Sequence, residues 1–385
     1  MGCIHLGQFQ HHVFGDTLPP LRSALMAVHS PPPTRREVLL VFVPWDLPSW
    51  FTDSVSAVSP GIKVISYRCG MYDKDIPPDI PEETWQSVTV FLTWNVLPAK
   101  ELVPNLRYVQ LLTAGCNHVV GNPLFEDTDI QFCTANGVHP PQIAEWVITT
   151  YLSFQHHIFE HWDNQKIGKW VMPESDEDTE DAVGMRMGVL GYGCIGRQCA
   201  KLGQALGMDV HAFTLREKAT PASRQDDTFA ERGMGDPKGE IPSKWFHGAA
   251  GQLHEFLGSG LDLLIITLPL TSLTRGMIGK EQLQILGRRN AFLSNVGRGP
   301  IVRTDDLAEA LNDGTLKGAA LDVTDPEPLP PDHPLWKARN VIITPHVSGN
   351  STHYNERVLK ILQENLRRRY EGEDLMNKVN RSLGY

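Results

Sequence analysis

Short apolar runs recur along the chain without the polar alternation of a half-exposed strand. The first are VLLVFV (38–43), IKVISY (62–67), VTVFLT (88–93), YVQLL (108–112) and IQFC (130–133), separated by helical or loop-like stretches. Such continuous apolarity predicts strands covered on both faces, hence a parallel sheet in a small α/β unit. Next, PPQIAEWVITTYLSFQHHIFEHW opens on prolines and spaces Ile143, Val147, Ile148, Tyr151 and Phe154 as a helix does, which predicts one long linking helix. From residue 187 a second series appears: MGVLG, DVHAF, LDLLIITLP, AFLSNV, GAALDV and VIITP. Helical stretches alternate with these runs, as in a doubly wound parallel sheet. Last, YNERVLKILQENLRRRY puts Val358, Ile361, Leu362 and Leu366 on one helical face.

Three segments break the pattern. Residues 1–35, ending in SPPPTRR, read as an irregular extension. PESDEDTEDAVG reads as a solvated acidic loop, because it lacks the alternating ligands and central glycine of a calcium loop. Residues 217–250 form a long polar insertion expected on the surface.

Length and charge narrow the picture. A chain of 385 residues exceeds one ordinary core, so two domains are expected. The net charge of −10 argues against a nucleic-acid surface. No apolar run is long enough for a bilayer, and no basic and apolar leader opens the sequence. The six cysteines are scattered, without a Cys-x-x-Cys pair. They predict thiols in a reducing compartment, no metal site and a cytoplasmic protein.

Candidate chemistry clusters in the second series. VLGYGCIGR holds Gly191-x-Gly193-x-x-Gly196 between a strand-like run and a plausible helix. Glycines there let backbone N–H groups approach a pyrophosphate at a helix N-terminus. The next strand ends in AFTLREK, where Thr214, with Arg216 and Lys218 behind it, replaces the acid that binds a ribose 2′-hydroxyl. A hydroxyl and two cations suit a 2′-phosphate, which favours NADP over NAD. Three reactive types then leave successive apolar segments: Arg298 in SNVGRGPIV, Glu327 in DPEP and His346 in ITPHVSG. Ligands of doubly wound sheets bind at the carboxyl ends of strands. Guanidinium suits a carboxylate, and a carboxylate beside an imidazole favours its protonated form.

The ordered set GYGCIG, LPLTSLTRGMIG, SNVGRGPIV, ALDVTDPEPL and ITPHVSG closely resembles the D-2-hydroxyacid dehydrogenase family, including its glyoxylate/hydroxypyruvate reductases. Fainter echoes occur in VQLLTAGCNHV and NGVHPPQIAEWVI. The resemblance implies that Arg298 binds the carboxylate and carbonyl of a 2-oxo acid, that His346 is the general acid/base, and that Glu327 pairs with it. It implies substrate contacts at Thr113, Ala114 and Gly115. Cofactor contacts would come from Cys194, Ile195, Arg197, Pro269, Thr274, Val296, Gly297, Asp322 and Gly349, beside the three glycines. Trp94, Leu112 and Cys116 are candidates for the substrate side-chain pocket.

It also implies a fold of two Rossmann-like or flavodoxin-like domains. Residues 36–147 with 350–385 would bind substrate, and the inserted residues 148–349 would bind NAD(P). The expected assembly is a homodimer through the cofactor domain. The expected reaction is hydride transfer between nicotinamide and a small 2-oxo or 2-hydroxy acid. The alternative is a dinucleotide-binding corepressor or scaffold on the same fold. Phosphoglycerate oxidation stays open, while a formate dehydrogenase would want an amide where Glu327 stands.

Overall fold

A computed structural model describes residues 37–71, 73–248 and 251–381; the extension 1–35 lies outside the described residues. The first sheet holds β1 (Val38–Val43), β2 (Lys63–Arg68), β3 (Val90–Thr93), β4 (Tyr108–Leu111) and β5 (Gln131–Cys133) in the order β2-β1-β3-β4-β5. Every pairing is parallel. Central β1, β3 and β4 are buried throughout, while the edge strand β2 alternates between exposed and half-buried residues. Continuous apolarity therefore marks the covered central strands, whereas IKVISY, read in the same way, forms the partly exposed edge strand β2.

The second sheet holds β6 (Arg186–Leu190), β7 (Asp209–Thr214), β8 (Lys244–His247), β9 (Leu263–Ile266), β10 (Phe292–Asn295), β11 (Gly318–Leu321) and β12 (Val341–Ile343). Its order is β12-β11-β10-β9-β6-β7-β8, again wholly parallel, with the strand order reversing between β6 and β9. Both sheets are thus doubly wound. Edge strand β8 lies inside the stretch expected to be a polar surface insertion, and a short helix, Pro221–Arg224, precedes it. Only one core-facing phenylalanine, Phe246, anchors β8, so its sequence carries little apolar signal.

The predicted linking helix is two helices. Pro140–Gln155 buries Ile143, Ala144, Val147 and Tyr151 against Met187, Val189 and Cys199 of the second sheet's core. It stops at His156, and His157 takes a left-handed φ of 52°. The following helix, Ile158–Lys166, buries none of its residues. The apolar spacing continues across the break, but no core lies under its second half. The C-terminal helix Tyr354–Glu371 ends at Gly372, in the left-handed conformation that glycine tolerates. Its Val358, Ile361, Leu362 and Leu366 pack with Leu39, Val41 and Phe51 of the first sheet. The chain therefore visits the first sheet, builds the second and returns. No helix among the described residues is long and apolar enough to cross a membrane.

Candidate active site

Register puts the candidate chemistry on one edge of the second sheet. Leu190 pairs with Ile266, Ile266 with Asn295, Asn295 with Leu321, and Leu321 with Ile343. The chain leaves these aligned ends as the glycine loop, the Arg298 loop, Asp322 and the His346 loop. That edge flanks the reversal between β6 and β9, where such sheets bind ligands.

His346 Nδ1 lies 2.6 Å from Glu327 Oε1. With Glu327 ionised, the shared hydrogen sits on Nδ1 and leaves Nε2 to the cleft. His346 holds a left-handed φ of 56°, a conformation that costs a β-carbon-bearing residue about 1–2 kcal/mol. Asp322, 2% exposed, supports it. Its carbonyl accepts from the His346 amide at 2.9 Å. Its carboxylate accepts from the Thr344 hydroxyl and the Val347 amide at 2.5 and 2.9 Å, and from the Ser348 amide and hydroxyl at 2.9 and 2.5 Å.

Arg298 donates from Nη1 to the Gly297 carbonyl at 2.8 Å. Its Nη2 stands 3.6 Å from where a Cβ on Gly115 would be, so the guanidinium abuts the 113–115 turn of the first sheet. That turn is braced by the Thr113 hydroxyl donating to the Gly115 carbonyl at 2.6 Å. Arg298, His346 and the turn face one cleft of about 830 Å³. Ile195, Leu270, Val296, Asp322, Ser348 and Gly349 line its second-sheet side. Met71, Trp94, His118 and Tyr354 line the other. Of the three pocket candidates, Trp94 lines the cleft, whereas Leu112 and Cys116 are fully buried in the core.

His139 also lines this cleft and is absent from the sequence-based set. Burial, then the charges of Arg298, His346 and Arg357, pushes its pKa down to about 4. The available cue was its place just before the prolines that open a helix. Met71, His118 and Tyr354 gave no local cue, because loops and a distant helix bring them in.

The glycine loop fits a pyrophosphate. Gly191 has φ 108°, and a Cβ there would lie 3.0 Å from Thr267 Oγ1. A Cβ on Gly196 would lie 2.4 Å from the Gly191 carbonyl oxygen, so only glycine allows this approach of helix to strand. Gly193 faces open space, and no side chain caps the helix Cys194–Ala205 that it starts. A helix start without a capping side chain suits an anionic ligand.

Several expected contacts do not point there. Arg197 is 4% exposed and turned into the 217–250 insertion. It pairs with Asp226 at 3.1 Å and donates to the carbonyls of Arg224 and Asp236. The Cys194 thiol meets Asn136 Oδ1 at 3.1 Å. Thr274 closes its own turn, donating to the exposed Pro269's carbonyl at 2.7 Å. The buried Thr214 hydroxyl donates to the Arg216 carbonyl at 2.7 Å and so shapes the strand end. Arg216 is exposed and Lys218 half-buried. Gly297 is required by packing, since its Cβ would lie 2.8 Å from the Leu268 carbonyl oxygen. The insertion is therefore more than a surface loop: Asp236 is 6% exposed and accepts from the Tyr192 hydroxyl of the glycine loop at 2.7 Å.

Comparison with known proteins gives a consistent result. Residues 148–232 and 242–348 match the NAD binding domain of D-isomer specific 2-hydroxyacid dehydrogenases, leaving out the centre of the insertion. A glyoxylate/hydroxypyruvate reductase B from Yersinia pestis is 31% identical over 262 residues, which is 66% of this chain and 71% of that protein. A hydroxypyruvate reductase from Blautia hydrogenotrophica is 28% identical over 327 residues, 82% of this chain and 92% of its own length. Among solved structures, a D-isomer specific 2-hydroxyacid dehydrogenase from Xanthobacter autotrophicus, in complex with NADPH and MES, aligns with a TM-score of 0.67 at 28% identity. That alignment covers 91% of this chain and all of the other.

Proposed function

The chain belongs to the D-isomer specific 2-hydroxyacid dehydrogenase family, and from that premise we propose that it reduces a 2-oxo acid to its 2-hydroxy acid with NADPH. The observation that carries the proposal is the His346–Glu327 pair at 2.6 Å, set on the same cleft as Arg298 and the mouth of the glycine loop. Gly191, Gly193 and Gly196 would hold the dinucleotide, which would supply the hydride that the carbonyl carbon takes up. Arg298 grips the substrate carboxylate with the backbone of the 113–115 turn, and its charge stabilises the growing negative charge on the carbonyl oxygen. His346 gives that oxygen a proton from Nε2. Glu327 holds the ring by Nδ1, and Asp322 holds the loop that carries it. The reverse reaction uses neutral His346 as the base.

Exposed Arg216 supports NADP over NAD, with Lys218 behind it and Glu217 turned towards His247 at 3.8 Å. Residues 36–147 with 350–385 form the substrate-binding half and 148–349 the cofactor half, and their closure excludes water from the cleft. The working form we propose is a cytoplasmic homodimer. Its support is the apolar surface of Trp162, Ile167, Trp170 and Met172, which are 56, 64, 91 and 70% exposed. The corepressor reading has no support in these relatives, two of which are reductases and one a dehydrogenase by name.

The test is oxidation of NADPH and NADH, side by side, in the presence of glyoxylate, hydroxypyruvate, pyruvate and an aromatic 2-oxo acid. Turnover that disappears in His346→Ala supports the reductase, and an NADPH preference that shrinks in Arg216→Ala supports the cofactor reading. A protein that binds NADPH but reduces none of these acids is not a 2-oxo acid reductase.

A further inference from the structure

We propose that the substrate is a 2-oxo monocarboxylate with a bulky apolar or aromatic side chain, seated against Met71, Trp94 and Tyr354. This rests on the reductase reading and narrows it. The two walls of the cleft have different origins. Ile195, Leu270 and Val296 belong to the second sheet, on the glycine-loop side from which the cofactor must approach. Arg298 and the 113–115 turn fix the carboxylate between the walls. The substituent on the carbonyl carbon must then run towards the first-sheet wall, built from the ends of β2 and β3, the loop after β4 and the start of the C-terminal helix.

That wall sets aromatic ring surface and a thioether beside the polar side chains of Asn117, Asn350, Ser351 and Asn355. The Trp94 and Tyr354 rings lie 6.2 Å apart at 30°, and the His139 ring is 5.1 Å from Tyr354. Together they form a continuous ring surface running back to the reaction centre. The polar atoms of Tyr354 and His118 are engaged with the protein. The Tyr354 hydroxyl donates to the Leu112 carbonyl, and His118 Nε2 donates to the Trp94 carbonyl at 2.9 Å. Asn95 holds the Met71 carbonyl at 2.7 Å, which fixes the loop that presents the thioether. Ring faces and a polarizable sulfur are left for the ligand, and such surfaces suit aliphatic and aromatic groups.

Charge excludes the main competitors. Arg298 is the only lysine or arginine lining the cleft among the described residues. Burial lowers the pKa of His118 and, with neighbouring cations, that of His139, which disfavours a cation on either ring. Asp322 is committed to its own loop. A second carboxylate or a phosphate on the substrate would therefore be desolvated without a cation to meet it, which is costly. Glyoxylate, with no substituent, would leave the aromatic wall unfilled.

The experiment compares kcat/KM with NADPH for phenylpyruvate, 4-methyl-2-oxopentanoate, glyoxylate and oxaloacetate. Each of the two bulky acids should exceed both glyoxylate and oxaloacetate by about tenfold or more, since a single well-placed methylene is worth about 10–200-fold. In Trp94→Ala the phenylpyruvate-to-glyoxylate ratio should fall by about tenfold. Met71→Lys, which keeps both rings, should raise the oxaloacetate-to-phenylpyruvate ratio by placing an ammonium on the wall. Faster turnover of glyoxylate or oxaloacetate than of either bulky acid overturns this proposal and leaves the reductase standing. Failure to reduce all four, with NADPH bound, removes the reductase reading and this one with it.

Discussion

At the scale of single residues, Glu327 and His346 divide labour in a way mutation can separate. Glu327→Gln keeps the shape and a hydrogen-bond partner but removes the charge that orients and stabilises a protonated ring. It should lower kcat by about 10²–10⁴-fold, the range typical of losing acid–base efficiency, with little change in substrate binding. An unchanged kcat would make the pair structural. His139 offers a second test. Its native pKa of about 4 lies below the usual value near 6.5, so the unfolded chain takes up the proton first. Its contribution to stability is complete above about pH 6.5 and is lost as pH falls towards 4. Histidine NMR should show one ring titrating near 4, and urea midpoints between pH 7 and 4.5 should fall less in His139→Gln than in wild type. Arg298, Glu327 and His346 were legible because each sits in a local motif at a strand end. His139 and Tyr354 were not, since only packing of the halves brings them to the cleft. The inward turn of Arg197 was not legible for a different reason: its partner Asp226 lies 29 residues away, in a segment with no pattern to read.

At the scale of elements, buried strands announce themselves by unbroken apolarity, and every strand with that signal exists. The element missed, β8, is an edge strand that faces water on one side. The insertion before it turns out to be a clasp. Asp226 and Asp236 grip Arg197 and Tyr192 of the glycine loop, while Phe229 packs against the first sheet's core. Glu231 meets Lys360 and Arg357 of the C-terminal helix at 3.0 and 3.8 Å. These contacts differ in worth. The Glu231 pairs are partly solvated, and Glu231→Ala should cost no more than about 1 kcal/mol. Asp226→Ala removes the counter-ion of the buried Arg197 guanidinium, which keeps only its two carbonyl acceptors, and should cost about 3–5 kcal/mol. Urea denaturation measures both, and NADPH titration should show the Asp226 variant weakened as its glycine loop loosens. Equal small effects would mean that the clasp does not support the loop.

At the scale of the whole molecule, the alternation of strand and helix foretold two parallel sheets, while the return of the last helix to the first was implied by family resemblance alone. Association was expected only from family resemblance, because no local pattern distinguishes a surface helix that waits for a partner from one that ends in solvent. The structure adds a physical reason. The helix Ile158–Lys166 buries nothing, and Trp162, Ile167, Trp170 and Met172 stand out along one short stretch. Such a patch on a lone chain is costly in water, roughly 25 cal/mol for each Å² of apolar surface left exposed. The net charge of −10 repels like copies, so the proposed association would rest on apolar burial rather than on steering. Two consequences follow. Light scattering at micromolar concentration should give the mass of two 43.0 kDa chains, and added salt should tighten the dimer by screening the repulsion. Trp170→Glu with Ile167→Glu should return the mass of one chain while the far-UV spectrum stays unchanged. A wild type that stays monomeric at every salt concentration would show that this face serves something other than a second copy.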